Sequence, residues 1–265
     1  MRFGTQHVTR SQRKNWVSFL NPLFNKYSEL TPIKNVTCSS DNALRSNHEG
    51  VAMISNIEET KNSHDKFKVI GVGCAGGNAV KRMTKTGMTD IEYYVVNTDQ
   101  QALEECDFAK PVQIGVNTTQ GVGCLGYPIR GRLAAEENYD KLQQIVKDAD
   151  IVFVIAGLGG GTGTGASPVI ASLARKQGVF TVAIVTLPFN FESEQCVENA
   201  ELGLQKLQDN ADSVIVVPNQ RILDTVESTW TFSEVFALSD EMLLRCVDSI
   251  REFHATITHK EIVLQ

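Results

Sequence analysis

The residues with the clearest capacity for chemistry form a glycine- and threonine-rich segment, Gly-Gly-Gly-Thr-Gly-Thr-Gly at 159–165. It follows the apolar run 151–155, which is typical of a buried strand, and precedes 168–175, which is typical of a helix. Glycines let an anion approach the backbone N–H groups, and a helix N-terminus adds positive partial charge, so the pattern predicts a phosphate-binding loop. A flexible linker is the alternative, but a linker would not separate a buried strand from an apolar helix.

A second glycine-rich turn, Gly-Val-Gly-Cys-Ala-Gly, lies at 71–76. It follows a strand-like segment, opens a helix-like one and is followed by an acid, Asp99, at the end of the next strand. This arrangement is typical of dinucleotide-binding proteins and alone would favour an NAD(P)-binding oxidoreductase. An NAD(P)-binding fold does not explain the second glycine loop at 159–165. Two glycine loops at one edge of the sheet are instead suited to a triphosphate that is bound from both sides. The Walker pattern is absent, because no Gly-Lys-Ser/Thr follows either loop.

Strand-like and helix-like segments alternate through the middle of the chain. The predicted strands are 67–72, 92–96, 151–155, 179–186 and 213–217, and the predicted helices are 79–86, 129–146, 168–175 and 194–208. This alternation predicts an α/β fold, a Rossmann-like parallel sheet with helices on both faces. Ligands of such sheets bind at the carboxyl ends of the strands, where both glycine turns are expected.

Composition and charge narrow the classes of function. The chain has 265 residues, 42% of them hydrophobic, and a formal net charge of −6, which provides no basic surface for general nucleic-acid binding. A nucleotide held by backbone amides is compatible with this charge. The apolar runs are much shorter than the ~20 residues of a transmembrane helix. The six cysteines show no close pairing of metal-ligand type, so reduced, buried or loop-lining thiols are expected.

The segment 159–165 and the Ala-Gly-Leu before it resemble the signature of the tubulin/FtsZ family, in particular its bacterial FtsZ branch. The similarity extends from about Lys66 to about Ile250. The resemblance implies a GTP-binding domain at 63–228, with GTP or GDP as ligand and Mg²⁺ carried by the nucleotide. It places the γ-phosphate at 123–128, the ribose at Glu192 and the guanine at Asn219, Phe236 and Asp240. The residues expected to contact GTP are Gly73, Cys74, Ala75, Gly76, Gly77, Asn78, Asn97, Asp99, Gly159, Gly160, Gly161, Thr162, Gly163, Thr164, Gly165, Glu192, Asn219, Phe236 and Asp240.

Several of these positions also have a plain structural interpretation. Glu192 and Asp240 could be surface acids, and Phe236 could be a core residue at helical spacing from Phe232. Their order along the chain, which matches one family at successive turns, favours the ligand roles. A carboxylate accepts hydrogen bonds from the N1–H and N2–H edge of guanine, which adenine lacks, so the preference for guanine rests mainly on Asp240.

The chain departs from the family pattern near the nucleotide. Leu125 stands where the family has a small glycine, and Tyr127 replaces a usual asparagine. After Glu192, the basic run that ends in an arginine in the family is replaced by Ser-Glu-Gln-Cys at 193–196. A lost charge-assisted contact costs about 1.5–3 kcal/mol, so weaker GTP binding than in other members is expected.

Residues 229–265 are expected to form the central helix of the family and a divergent tail. In the family this helix leads to an acidic Asn-x-Asp-x-x-Asp-like loop and a second domain, and neither has a match here. Because that loop orients the attacking water on the nucleotide of the next subunit, the chain alone is expected to bind GTP but to hydrolyse it weakly. It would act as a C-terminally truncated filament subunit or modulator, by self-association or co-assembly with full-length FtsZ-like subunits. Leu238, Leu244 and Phe253 would then lack cover.

Residues 1–62 differ from the rest in charge. Bases and serines are frequent, and no acid precedes Glu29, which is typical of an organelle presequence followed by a polar linker. A disordered tail is the alternative. With the resemblance, this implies a place in the organelle division machinery. The segments 75–79 and 232–236 resemble alphaproteobacterial members, so the mitochondrial matrix is expected, with the plastid stroma as the alternative. A remnant that folds without binding nucleotide is a third possibility.

Overall fold

The computed structural model describes residues 66–227 and 229–263, so the predicted presequence and linker at 1–62 lie outside the described residues. The strands of the described part are β1 (Phe67–Val72), β2 (Ile91–Asn97), β3 (Lys110–Gln113), β4 (Ile151–Gly157), β5 (Phe180–Leu187) and β6 (Ser213–Pro218). Its helices are α1 (Gly73–Met83), α2 (Gln100–Glu104), α3 (Val116–Thr119), α4 (Pro128–Glu137), α5 (Tyr139–Val146), α6 (Gly161–Lys176), α7 (Glu194–Asn210), α8 (Asn219–Thr225) and α9 (Phe232–Val263). A short 3₁₀ turn, Thr84–Thr86, follows α1.

The six strands pair in parallel in the order β3-β2-β1-β4-β5-β6, which confirms the predicted parallel sheet. From β1 the chain runs outward through β2 to β3, then returns to the other side of β1 and runs outward again through β4. The strand order therefore reverses between β1 and β4. In open parallel sheets, the crevice at the carboxyl ends of the strands beside such a reversal is where ligands bind.

An apolar layer covers each face of the sheet. Phe153 of β4 belongs to the layer that also contains residues of α1, α8 and α9, whereas its neighbours Val152 and Val154 belong to the layer built with α4, α5, α6 and α7. Both faces are buried, which explains why 151–155 is continuously apolar rather than alternating.

The edge strand β3 and the short helices α2, α3 and α8 have no counterpart among the predicted elements. In β3, Val112 is buried while Lys110 and Pro111 are exposed, so the segment lacks an apolar run. Proline is tolerated at a sheet edge, where its missing N–H needs no partner strand.

Helix α6 begins at Gly161, well before the predicted start at 168, so the expectation of an open loop over 161–165 is wrong. Tight packing explains these glycines. A Cβ added at Gly165 would overlap the Pro128 carbonyl oxygen, and one at Gly163 would lie 2.5 Å from the Gly157 carbonyl oxygen. The packing of α4 and β4 against the backbone of α6 outweighs the low helix propensity of glycine.

Two other helices also differ from the prediction. Helix α1 begins at Gly73 rather than at 79. The predicted helix 129–146 is divided at Asn138 into α4 and α5. The Asn138 side chain accepts a hydrogen bond of 2.6 Å from the Gly115 N–H, so the break ties the two helices to the turn that follows β3.

The predicted central helix is present as α9, which continues to Val263. The expectation that Leu238, Leu244 and Phe253 lack cover is wrong, because all three are partly buried against the layer that contains Phe153. Among the side chains that the structure describes in this helix, the large apolar ones that are exposed are Phe232, at 55%, and Phe236, at 49%. None of the helices in the described residues is both long enough and apolar enough to cross a membrane.

Candidate functional site

A cleft of about 1730 Å³ lies at the carboxyl edge of the sheet. Residues at or next to the ends of five strands line it, namely Val72, Asn97, Gly157, Thr186 and Asn219. The cleft therefore includes the reversal of strand order between β1 and β4. Both glycine turns open into it, as the parallel-sheet prediction requires.

The N-termini of α1 and α6 meet in this cleft. Gly73 has a φ of +72°, and a Cβ added to it would lie 3.1 Å from the Gly163 amide nitrogen, so only glycine lets the two backbones approach so closely. Both helices lie within the described residues, and neither has an acidic side chain in its first turn. Their free N–H groups and positive dipole ends are therefore uncompensated, which favours an anion.

Hydroxyl and thiol groups surround the first turn of α6. The hydroxyls of Thr98 and Thr162 are 2.7 Å apart, and each lies 3.4 Å from the Cys124 sulfur. Thr162 and Cys124 line the cleft, whereas Thr98 is buried behind them. This contact links the end of β2 and the first turn of α6 to the loop 123–126, and it leaves hydroxyl groups beside the anion-binding backbone.

An aromatic and polar surface lies at the other end of the cleft. The Phe236 ring packs edge-on against the buried Phe189, with centroids 5.3 Å apart, and its exposed side lines the cleft. Asn219, at the start of α8, is buried and accepts a 2.7 Å hydrogen bond from the Ser239 hydroxyl. The amide N–H₂ of Asn219 and the ring of Phe236 are groups that can hydrogen-bond and stack on a planar base.

Asp240 lies on α9 with its side chain 16% exposed and forms an ion pair with Arg82 of α1, at 2.9 Å from Nε to Oδ2. Burial raises the pKa of the Asp240 carboxyl, and the hydrogen bond and charge of Arg82 oppose that rise. The pair thus helps to keep a carboxylate charged at the cleft wall.

Two other predicted acids have partners within the fold. The Glu192 carboxylate accepts a 2.8 Å hydrogen bond from the Phe189 N–H. Asp99 caps α2, accepting hydrogen bonds from the N–H groups of Gln101 and Ala102 at 3.0 and 3.3 Å. Both acids line the cleft, so their structural roles coexist with access to a ligand.

The family model for "Tubulin/FtsZ family, GTPase domain" matches residues 66–227, more than half of the chain. The chain belongs to the tubulin/FtsZ family. The match covers β1 to β6 and every turn that opens into the cleft except the segment at the start of α9. Nothing in the comparisons supports the alternative of an NAD(P)-binding oxidoreductase, even though the strand order is also that of dinucleotide-binding sheets.

Among curated relatives in the tubulin/FtsZ family, the chain is 44% identical over 191 residues to the cell division protein FtsZ of Aquifex aeolicus, covering 72% of this chain and 52% of the relative. It is 41% identical over 191 residues to that of Buchnera aphidicola, covering 72% and 50%. The chain therefore spans about half the length of these relatives.

Solved structures in the family show the same fold. An empty FtsZ dimer from M. jannaschii is 36% identical, with a TM-score of 0.67 over 71% of this chain and 54% of that one. CetZ2 from Haloferax volcanii, described as a GTPγS-bound protofilament, is 28% identical, with a TM-score of 0.63 over 70% and 57%.

The cleft of this tubulin/FtsZ domain brings together most of the residues predicted to contact GTP. Those that line it are Gly73, Cys74, Ala75, Asn78, Asn97, Asp99, Gly160, Gly161, Thr162, Gly163, Glu192, Asn219, Phe236 and Asp240.

The remaining predicted residues, Gly76, Gly77, Gly159, Thr164 and Gly165, are not part of the cleft lining. They take part in packing instead. A Cβ added at Gly76 would overlap the Ile155 carbonyl oxygen, and one at Gly77 would lie 3.3 Å from a Val95 methyl group. The Thr164 hydroxyl accepts a 2.9 Å hydrogen bond from the Gly159 N–H.

The structure adds basic residues that the motifs do not identify. Lys81 and Arg82 line the cleft from α1, and Lys85 lines it from the 3₁₀ turn that follows. In the sequence, the spacing of four between Lys81 and Lys85 would place both on one face of a helix, and this was the available signal. These three side chains supply positive charge near the cleft. The weaker GTP binding expected from the segment 193–196 stays a prediction.

Five of the six cysteines lie in the described part of the chain. Cys74, Cys106, Cys124, Cys196 and Cys246 are free in the described part of the chain. Cys74 is exposed in the cleft, and its sulfur accepts a hydrogen bond from Asn97 at 3.6 Å. No group of three or more His, Cys, Asp or Glu side chains within the described residues is arranged to hold a metal ion.

Proposed function

We propose that the cleft binds a guanine nucleotide, GTP or GDP, with the phosphates at the N-termini of α1 and α6. The observation that carries the proposal is the meeting of these two helix ends at Gly73 and Gly163 without an acid in either first turn. Two uncompensated dipole ends attract a polyanion more strongly than one. Family membership and the description of CetZ2 as GTPγS-bound support the same ligand.

The base is proposed to occupy the surface formed by Asn219, Phe236 and Asp240. Phe236 offers an exposed ring face for stacking, and the Asp240 carboxylate accepts from the N1–H and N2–H of guanine. Adenine has no such pair of donors for this carboxylate, so the cleft is expected to discriminate against ATP. Glu192 is proposed to accept from the ribose hydroxyls.

Mg²⁺ is proposed to arrive with the nucleotide. Magnesium usually retains several waters and is held by substrate phosphates together with one or two carboxylates, so a preformed protein cluster is not required. Asp99, which lines the cleft, is a carboxylate of suitable type.

We further propose that the chain assembles with copies of itself or with other FtsZ-like subunits, and that hydrolysis of GTP needs an acidic loop from a neighbouring subunit. Positioning of the attacking water is the larger part of phosphoryl-transfer catalysis, and a binding cleft alone does not supply it. The M. jannaschii dimer and the CetZ2 protofilament support assembly through this kind of domain. If the isolated chain hydrolyses GTP as fast as a mixture of the chain with a full-length subunit, the proposed need for an acidic loop from a neighbouring subunit is contradicted.

Organelle division, in the mitochondrial matrix or in the plastid stroma, is the proposed setting. The support is the excess of bases over acids in 1–28 and the frequent serines up to residue 40, together with the relatives described as cell division proteins. A fluorescent fusion of residues 1–65 tests it, since mitochondrial staining supports the first location, plastid staining the second, and diffuse staining neither.

Titration calorimetry with the purified chain tests nucleotide binding. GTP and GDP are expected to bind, ATP to bind at least about tenfold more weakly, and NAD not to bind. Asp240→Asn should reduce the preference for GDP over ADP, because an amide offers one acceptor instead of two. Asp248→Asn, on the same helix, is the matched control. The absence of binding heat for guanine nucleotides at millimolar concentration would overturn the proposal.

A further inference from the structure

Asn199, on α7, is a buried polar residue that touches two parts of the cleft wall. It is 6% exposed, and its side-chain N–H₂ donates to the carbonyl oxygens of Gly126 and Gly159, both at 3.1 Å. Its side-chain oxygen accepts from Gln195 at 3.2 Å. Both ends of the amide are therefore occupied, which determines how the group is oriented.

The loop that receives the first of these hydrogen bonds has an unfavourable backbone. The Tyr127 N–H donates to the Cys124 carbonyl oxygen at 3.0 Å, closing a turn whose central residues Leu125 and Gly126 have φ of 52° and 80°. Turns with two positive φ values are normally built from glycine, asparagine or aspartate. Leu125 is 67% exposed, so burial of its side chain does little to stabilise this conformation.

The turn is held from both sides. On one side, the Cys124 sulfur lies 3.4 Å from the hydroxyls of Thr98 and Thr162. On the other, the Gly126 carbonyl is bound by Asn199. The same loop covers the start of α6, because a Cβ at Gly161 would overlap the Cβ of Cys124 and lie 3.0 Å from the Tyr127 nitrogen.

We infer that Asn199 is a positioning residue that holds the loop 123–127 against the start of α6 and thereby increases affinity for the phosphate chain of the nucleotide. This inference rests on the proposed function. Asn199 joins the loop to Gly159, which directly precedes the α6 N-terminus, so the amide sets the spacing between two walls of the phosphate end. The groups to which its N–H₂ donates are backbone carbonyls, and it has no hydrogen bond to the surface proposed for the base.

Asn199→Leu removes both donors while retaining similar side-chain size. Affinities for GMP, GDP and a GTP analogue that resists hydrolysis are measured by calorimetry on the full chain. The loss of affinity is expected to grow with the number of phosphates and to reach about tenfold for the GTP analogue. GMP binding should change little, because the base surface is untouched.

Gln195→Ala is a milder companion variant at an exposed position, which removes the hydrogen bond that orients the Asn199 amide. It is expected to give a smaller loss of affinity that also grows with the number of phosphates. If Asn199→Leu does not fold, this variant is used for the test instead. Asn210→Ala is the control on the same helix, because the Asn210 amide bonds to the Lys206 carbonyl within α7, and its affinities should match those of the unaltered chain.

Equal loss for all three nucleotides, or no loss in a folded variant, overturns the inference while leaving the proposed function standing. If the unaltered chain binds none of the three nucleotides, the proposed function fails and this inference fails with it. A loss graded by phosphate number in both variants supports the positioning role, because general destabilisation would weaken the three ligands alike.

Discussion

Substituting alanine for Gly165 separates intrinsic helix propensity from packing in α6. Gly165 lies inside α6, where alanine is intrinsically favoured by about 1 kcal/mol over glycine. The added Cβ would overlap the Pro128 carbonyl oxygen and lie 2.7 Å from the Arg132 nitrogen. Propensity and packing therefore predict opposite signs for the change in stability.

Packing should prevail, because both obstacles are backbone atoms of α4 that cannot rotate away. Overpacking costs about 1–3 kcal/mol, and the rigidity of the contact places this site at or above the upper end. After subtraction of the propensity gain, Gly165→Ala should lower the free energy of unfolding by about 2 kcal/mol. For a urea m-value of about 2 kcal/mol/M, the midpoint of unfolding falls by about 1 M.

Urea unfolding followed by circular dichroism measures this shift. Gly160→Ala is the matched control, because Gly160 has an ordinary φ of −80° and no atom lies within 4 Å of an added Cβ. Its stability should change by less than about 1 kcal/mol. If Gly165→Ala is as stable as the unaltered chain, the close approach of α4 to α6 is not what requires glycine there.

Three further outcomes are expected. Arg82→Met removes the charge that opposes the effect of burial, so the pKa of Asp240 rises further and its carboxylate is protonated more readily as the pH falls. By calorimetry, GDP affinity should therefore fall more steeply between about pH 8 and about pH 6 than in the unaltered chain, and parallel profiles would contradict this. Burial raises the pKa of Tyr93 from 10.0 to about 12, so the unfolded chain ionises first and stability is lost between these values; Tyr93→Phe should reduce that loss in urea melts. At pH 7 Tyr93→Phe should be neutral or stabilising by about 1 kcal/mol, because the hydroxyl has no partner among the described residues. Asp99→Ala should cost about 1 kcal/mol of stability by removing the α2 cap, whereas Asp99→Asn should cost less.

The predictable part of the fold was the part governed by burial. The apolar runs at 67–72 and 151–155 lie in a sheet buried on both faces, so composition alone located β1 and β4. The edge strand β3 was not predicted, because Lys110 and Pro111 are exposed and the segment therefore has no apolar run. The start of α6 was misplaced because glycine propensity is a local property, whereas the contact with Pro128 comes from another helix.

The candidate site was predictable where backbone geometry determines the residue. Gly73 needs a positive φ and a close approach to Gly163, and such positions leave a visible glycine pattern. Asn199 was missed, since its role depends on loops that lie 73 and 40 residues away in sequence. Its spacing with the buried Ala200, Gly203 and Leu207 on α7 was the available signal, a polar residue on a buried helix face.

The position of β1 at the centre of the sheet affects how the chain emerges from the ribosome. Residue 67 pairs with residue 91 on one side and with residue 151 on the other. At roughly 5–20 amino acids per second, the second partner is synthesised about 3–12 s after the first. During that interval, one edge of β1 has no strand to pair with, and the helix Gly161–Lys176 that covers one of its faces has not been synthesised. The nascent polypeptide is therefore exposed to non-native strand pairing until β4 is made.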